Sequence, residues 1–198
     1  MNFTIYMEST PNPEVMKFVA NKILTEDSIE LLSNKNSDQV PLAMELFKFP
    51  FIKSIFISYN FISITKNNDI DWYEISTEVR EFINSHLNKN GFVNNFKSYA
   101  KVEIKLKNDN VIEDIKTDTE NLSDIEKEIV SIIDQYIQPA VAADGGSIVF
   151  KSYREGIVYV ILKGACSGCP SSTITLKQGI ENLLKQKLGS QIKEVTAY

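Results

Sequence analysis

Residues 144–181 read DGGSIVFKSYREGIVYVILKGACSGCPSSTITLKQGIE, and this stretch decides the fold of the C-terminal part of the chain. Asp144-Gly145-Gly146 makes a turn. Ser147 to Tyr153 and Ile157 to Lys163 then read as two strands joined at Arg154-Glu155-Gly156. A loop of small residues comes next, and a helix starts near Ser171 with Leu176, Ile180, Leu183 and Leu184 turned inward. Gly189 stops that helix, and Ile192 to Thr196 suits a last strand. Upstream, Ser123 and Glu126 have the spacing of a capping box. Ile125, Ile129, Ile132, Ile133 and Tyr136 fall on one face of the helix they open, which runs out around Pro139 to Ala143. The order helix, strand, strand, cysteine loop, helix, strand predicts a small α+β domain over residues 123–198.

Residues 1–90 predict a second α+β domain. Phe3, Ile5 and Met7 alternate with polar neighbours as in a half-buried strand, which stops at the rigid turn Thr10-Pro11-Asn12-Pro13. Val15 to Ala20 and Ser28 to Leu32 are further strands, and Pro41 is placed to begin a short helix through Phe47. Ile52 to Ser58 and Phe61 to Thr65 make a hairpin about Tyr59-Asn60. Asp71 caps a longer helix, with Glu74 as its capping-box partner, an apolar stripe of Ile75, Val79, Phe82 and Ile83, and Gly91 at its end. Trp72 and Tyr73 at its start read as core and staple. From 91 to 122 charged residues dominate, and the segment reads as a linker with one strand in KVEIKLKND (101–109).

A chain of 198 residues with 43% hydrophobic content holds one large domain or two small ones. The net charge is −5, and none of the three segments is net positive, which argues against a nucleic-acid surface. No apolar run approaches the roughly 20 residues of a membrane span, and the N-terminus lacks a leader pattern. Two cysteines make no disulfide framework. These features predict a cytoplasmic protein in a reducing compartment.

Those two cysteines, Cys166 and Cys169, are half of a ligand set. Structural zinc sites and iron–sulfur clusters usually take four protein ligands, and the only histidine, His86, is distant in sequence. Either the pair does two-thiol redox chemistry, or two copies of the chain share a metal centre. The loop lies between a strand end and a helix N-terminus, a setting that lowers a thiol pKa and favours a bound anion. Gly164, Ala165, Ser167, Gly168, Ser171 and Ser172 allow a bulky ligand or a second chain to approach, and Pro170 stiffens the loop. Neither thiol sits in an apolar run, so a metal centre here is expected to be exposed. A dithiol–disulfide oxidoreductase and a zinc-linked structural dimer both stay open. Against the first, the pair comes after two strands near the C-terminus, not in an opening βαβ unit.

The segment from Ile125 to the C-terminus closely resembles the C-terminal domain of NifU-like iron–sulfur scaffold and carrier proteins. The resemblance runs through QPAVAADGG (138–146), the hairpin, GACSGCPSSTITLKQGIE (164–181) and the final strand. The first 90 residues resemble the domain ahead of it in the Nfu branch, through TPNPEVMKF (10–18), PLAMELF (41–47), the aromatic hairpin and DWYEI (71–75). The resemblance implies that Cys166 and Cys169 bind a 4Fe-4S cluster bridged between two protomers, a homodimer when loaded. It implies a non-enzymatic role: the cluster comes from upstream assembly machinery and passes to apo iron–sulfur clients, which the N-terminal domain contacts. With no other cysteine, the chain cannot house the permanent second cluster or the three-cysteine assembly site of longer NifU proteins.

Other residues have plainer readings. Asp144-Gly145-Gly146 is a helix end and turn, Lys163 and Lys177 are solvated surface, and Pro11 and Pro13 form a rigid turn. His86, one turn beyond Phe82, is expected to be packed or interfacial and is not counted as a ligand.

Overall fold

Alternating apolar residues build five strands in the N-terminal half: β1 (Ile5–Ser9), β2 (Val15–Ala20), β3 (Ile29–Leu31), β4 (Ile52–Ser58) and β5 (Phe61–Lys66). The computed structural model describes residues 2–67, 69–94, 122–167 and 170–198. The strands form one antiparallel sheet in the order β1-β2-β5-β4-β3. The β4–β5 hairpin closes with Ser58 opposite Phe61, and Tyr59 takes a φ of 50° at its turn.

Two helices, α1 (Pro41–Leu46) and α2 (Trp72–Asn90), cover one face of this sheet. Phe18, Ile55, Ile57, Ile62 and Ile64 point into that core and meet Leu42, Leu46, Val79 and Ile83. Asp71 caps α2 by accepting from the Tyr73 N–H at 2.8 Å. An Asp71→Ala variant is expected to lose about 1 kcal/mol of stability, measurable by urea unfolding. Trp72 is core: its ring meets Phe18 edge-on, and its Nε1 donates to the Glu14 carbonyl at 3.0 Å. Tyr73 is not, being 92% exposed. Position 73 lies one residue beyond Trp72, about 100° around the helix, and so faces away from the sheet.

In the C-terminal half, α3 (Asp124–Ile132) runs through a π-helical turn (Ile133–Ile137) into α4 (Gln138–Ala143). Ser123 and Glu126 form the expected capping box, with the Ser123 N–H and hydroxyl 3.0 and 2.7 Å from Glu126 Oε2. The wider π turn rotates its own residues away from the α-helical register, so Tyr136, expected on the inner face, is 46% exposed with Lys187 over its ring. Then come β6 (Gly146–Arg154), β7 (Ile157–Gly164), α5 (Pro170–Leu188) and β8 (Glu194–Ala197). Glu155 and Gly156 take φ of 52° and 89°, the two positive values of a type I′ hairpin turn. β7 is central in the order β6-β7-β8, antiparallel to β6 and parallel to β8. Ile129, Ile133, Val158, Val160, Ile180, Leu184 and Val195 fill this second core. The molecule is thus α+β, with helix-strand-strand-helix-strand order at its C-terminal end. The strand expected at 101–109 lies outside the described residues. No described helix is long and apolar enough to cross a membrane.

The second face of the N-terminal sheet is also covered. Val15, Phe56 and Phe61 are buried yet belong to neither helix-covered core. They lie at positions that alternate with the inward-facing Phe18, Ile55 and Ile62, so they point the other way. What covers them includes the turn before β6 and the end of β7.

Candidate functional site

The cysteine loop is held by β7 on one side and α5 on the other, as expected, and it is pinned to the turn before β6. The Ala165 N–H donates to the Gly145 carbonyl at 3.1 Å, and Gly146 lies opposite Gly164 across the β6–β7 ladder. Ser167 closes the loop on itself, its N–H and Oγ both reaching the Gly164 carbonyl, at 3.1 and 2.9 Å. Asp144-Gly145-Gly146 therefore supports the cysteine loop directly, in addition to ending α4.

Cys166 departs from expectation. Its thiol is buried, 7% exposed, among the side chains of the C-terminal core. Gly146 leaves room for it: a Cβ there would stand 2.5 Å from Cys166 Sγ and 2.7 Å from the Lys163 carbonyl. Burial, and then the nearby Asp144 carboxylate, push the Cys166 thiol up from 9.0 to about 11. The expected lowering fails because helix-terminus effects fade within the first turn, and Cys166 precedes Pro170, where α5 begins. Cys169 lies outside the described residues.

This shift has a measurable sign. The folded chain keeps the Cys166 proton where the unfolded chain would release it. Its contribution to stability is therefore whole below pH 9 and disappears as pH rises toward about 11. Apo protein is expected to lose on the order of 2 kcal/mol more than a Cys166→Ala variant between pH 8 and 11, by urea unfolding at each pH. Parallel declines would contradict the buried thiol.

Residues of the N-terminal sheet grip the backbone around the thiol. Asn12 Nδ2 donates to the Ala165 carbonyl at 3.2 Å, and Ser63 Oγ to the Gly145 carbonyl at 2.6 Å. Lys17 Nζ donates to the Ala143 carbonyl at 3.0 Å, pairs with Glu8, and lies over the Phe61 ring. The Gly164 N–H donates to Glu30 Oε1 at 3.1 Å. Burial pushes the Glu30 carboxyl up, against the opposing pull of that N–H and of Lys163. Gly164 has a φ of 65° and is pressed so close to Phe56 that an added Cβ would stand 2.6 Å from its ring.

Sequence reasoning missed these residues. Asn12 sits in the turn read as merely rigid: Pro11 and Pro13 are exposed while Asn12 between them is buried. The available signal was the pair Phe56 and Phe61, aromatic residues on the strand face opposite the isoleucines. Lys177 forms a surface pair with Glu194 at 3.0 Å, as its solvated reading implies. His86 is half-buried beside Phe82 in a groove with Met44 and Glu45, where desolvation lowers its pKa. Among the described residues, no group of three or more His, Cys, Asp or Glu side chains is gathered to hold a metal ion.

Two segments of the chain match known families. Residues 5–90 match the family described as scaffold protein Nfu/NifU N terminal, and residues 129–196 match the NifU-like domain. The chain is 31% identical over 191 residues to a human protein named NFU1 iron-sulfur cluster scaffold homolog, mitochondrial, covering 91% of this chain and 66% of that one. A Drosophila willistoni protein of the same name is 33% identical over 193 residues, with 91% and 59% covered. The chain thus spans about three fifths to two thirds of the length of these relatives. A crystal structure of a Staphylococcus aureus protein aligns with a TM-score of 0.35 at 26% identity, over 40% of this chain and 96% of that one. A solution structure of a NifU-like protein from Saccharomyces cerevisiae aligns with a TM-score of 0.43 at 23% identity, over 48% and 87%.

Proposed function

Because the chain belongs to the family of Nfu-type, NifU-like scaffold proteins, with both the N-terminal and the C-terminal domain, we propose that it carries a 4Fe-4S cluster between two protomers and passes it to apo-proteins. The cluster is cargo, received from upstream assembly machinery and converted into nothing. Cys166 and Cys169 of each protomer supply the four thiolates, and the N-terminal domain, residues 1–90, orients clients.

One observation carries this reading. The only two cysteines of the chain, Cys166 and Cys169, fall three positions apart in the sequence, between the last residue of β7 and the first of α5. Two such loops complete a four-thiolate set. The small residues around the pair leave room for a ligand of some bulk. Release proceeds by ligand exchange. A client thiolate forms a bond to iron as one Cys166 or Cys169 thiolate leaves, one ligand at a time and with no net redox change. The dithiol–disulfide alternative is disfavoured by Cys166, whose thiol is held well above the range of an attacking thiolate. Two-thiolate chemistry of this kind suits a reducing compartment such as the cytoplasm.

Anaerobic reconstitution tests the proposal. The expected product is a dimer with about four irons and four sulfides and a visible absorption band. A protein that stays monomeric and colourless would sink it, and a colourless dimer containing zinc would favour the structural-metal alternative.

A further inference from the structure

An antiparallel sheet with helices on one face commonly leaves the other to water. Here the middle of the outer face of the N-terminal sheet is buried, Lys17 being 7% exposed, Phe56 2%, Phe61 4% and Ser63 2%, while Tyr6 at its β1 edge is 60% exposed. Three polar side chains of this face and Asn12 of the adjoining turn bond main-chain groups of the C-terminal domain. Lys17, Ser63 and Asn12 donate to the carbonyls of Ala143, Gly145 and Ala165, and Glu30 accepts from Gly164. Such bonds recognise the shape of the two loops. Phe56 adds an apolar floor that only a glycine at 164 lets the loop reach.

We propose that this outer face is a seat for the cysteine loop of its own chain, which keeps Cys166 inaccessible in the apo protein and competes with the second protomer for that loop. The gripped residues, Gly164 and Ala165, immediately precede Cys166. A thiolate shared with another chain must turn out of the C-terminal core, and the bonds from Asn12 to the Ala165 carbonyl and from the Gly164 N–H to Glu30 hold the backbone just before Cys166 in the conformation that keeps it there. Loading therefore proceeds through the undocked form. The competition rests on the shared-cluster reading, whereas the control of access to Cys166 stands without it.

The test uses the full-length apo chain with substitutions confined to the seat, Ser63→Glu and the milder Lys17→Ala. Trp72, the only tryptophan, lies in the core on the other face of the sheet, and its emission reports whether the N-terminal domain stays folded. Iodoacetamide labelling of Cys166 is followed by peptide mass spectrometry at fixed pH, and iron uptake is followed separately. With native Trp72 emission, Ser63→Glu is expected to raise the Cys166 labelling rate at least tenfold and Lys17→Ala at least threefold. The radius of gyration in solution scattering should increase, and initial iron uptake should be at least threefold faster. Wild-type labelling rates in both variants would overturn the seat. Faster labelling with unchanged iron uptake would overturn the competition. Faster labelling while no form of the protein takes up iron would uphold the seat and overturn the shared-cluster reading instead.

Discussion

A Cys166→Ala chain is expected to fold, to stay monomeric and to take up no cluster. Ligand number decides the outcome. Two chains with both cysteines offer four thiolates, whereas two chains without Cys166 offer two, too few for a centre that is held by four. The fold should survive, because replacing a thiol by a hydrogen removes one heavy atom from the core around Ile129 and Leu184, at a cost of about 1 kcal/mol. Iron and sulfide assays after anaerobic reconstitution, with size-exclusion chromatography, check both halves. A variant that loads and dimerises like the wild type would remove Cys166 from the site.

A Gly164→Val substitution is expected to cost about 2–5 kcal/mol and to separate the two domains. Gly164 has a φ of 65°, where any side chain is strained and a β-branched one most of all. Its added Cβ would stand 2.6 Å from Phe56 Cδ1 and 2.8 Å from the Gly145 carbonyl. The ring can shift, but the carbonyl accepts from both the Ala165 N–H and Ser63 Oγ, so relieving that contact moves the turn and breaks the Ser63 bond of the seat. Gly179 is the internal control, since nothing lies within 4 Å of a Cβ there and it sits inside α5. Gly179→Ala is expected to stabilise by about 0.5–1 kcal/mol. Urea unfolding of the three proteins gives the order; equal stability of Gly164→Val and wild type would refute the packing of Gly164 against Phe56.

Much of the architecture was legible because it is encoded locally. The hairpin turns at Tyr59-Asn60 and Glu155-Gly156, the Asp71 cap and the Ser123–Glu126 box each depend on neighbours within a few positions. The cysteine loop was legible for the same reason, its place between a strand end and a helix start set by apolar spacing on either side. Where the reading failed, a local pattern was overridden. The π turn at Ile133–Ile137 carried Tyr136 off the inner face, and no spacing rule announces one extra residue in a helical turn. Cys166 looked exposed because its sequence neighbours are small, but small neighbours also let it sink beneath Gly146 into the core. The seat was least legible, since Asn12 and Ala165 meet across 153 positions. Its trace in the sequence is Phe56 and Phe61, which interrupt the polar side of strands that would otherwise alternate.

The joining of seat and loop on one polypeptide fixes how strong their contact has to be. Domains on one chain meet at effective concentrations that reach the millimolar range, so contacts as modest as the four hydrogen bonds and one aromatic floor seen among the described residues can keep them together. A second protomer arrives at micromolar concentration and starts roughly a thousandfold behind. Protein–protein contacts alone leave that handicap in place. On the proposed shared-cluster reading, new bonds from four thiolates to iron would reverse it, and the cargo itself would supply the affinity that assembles its carrier.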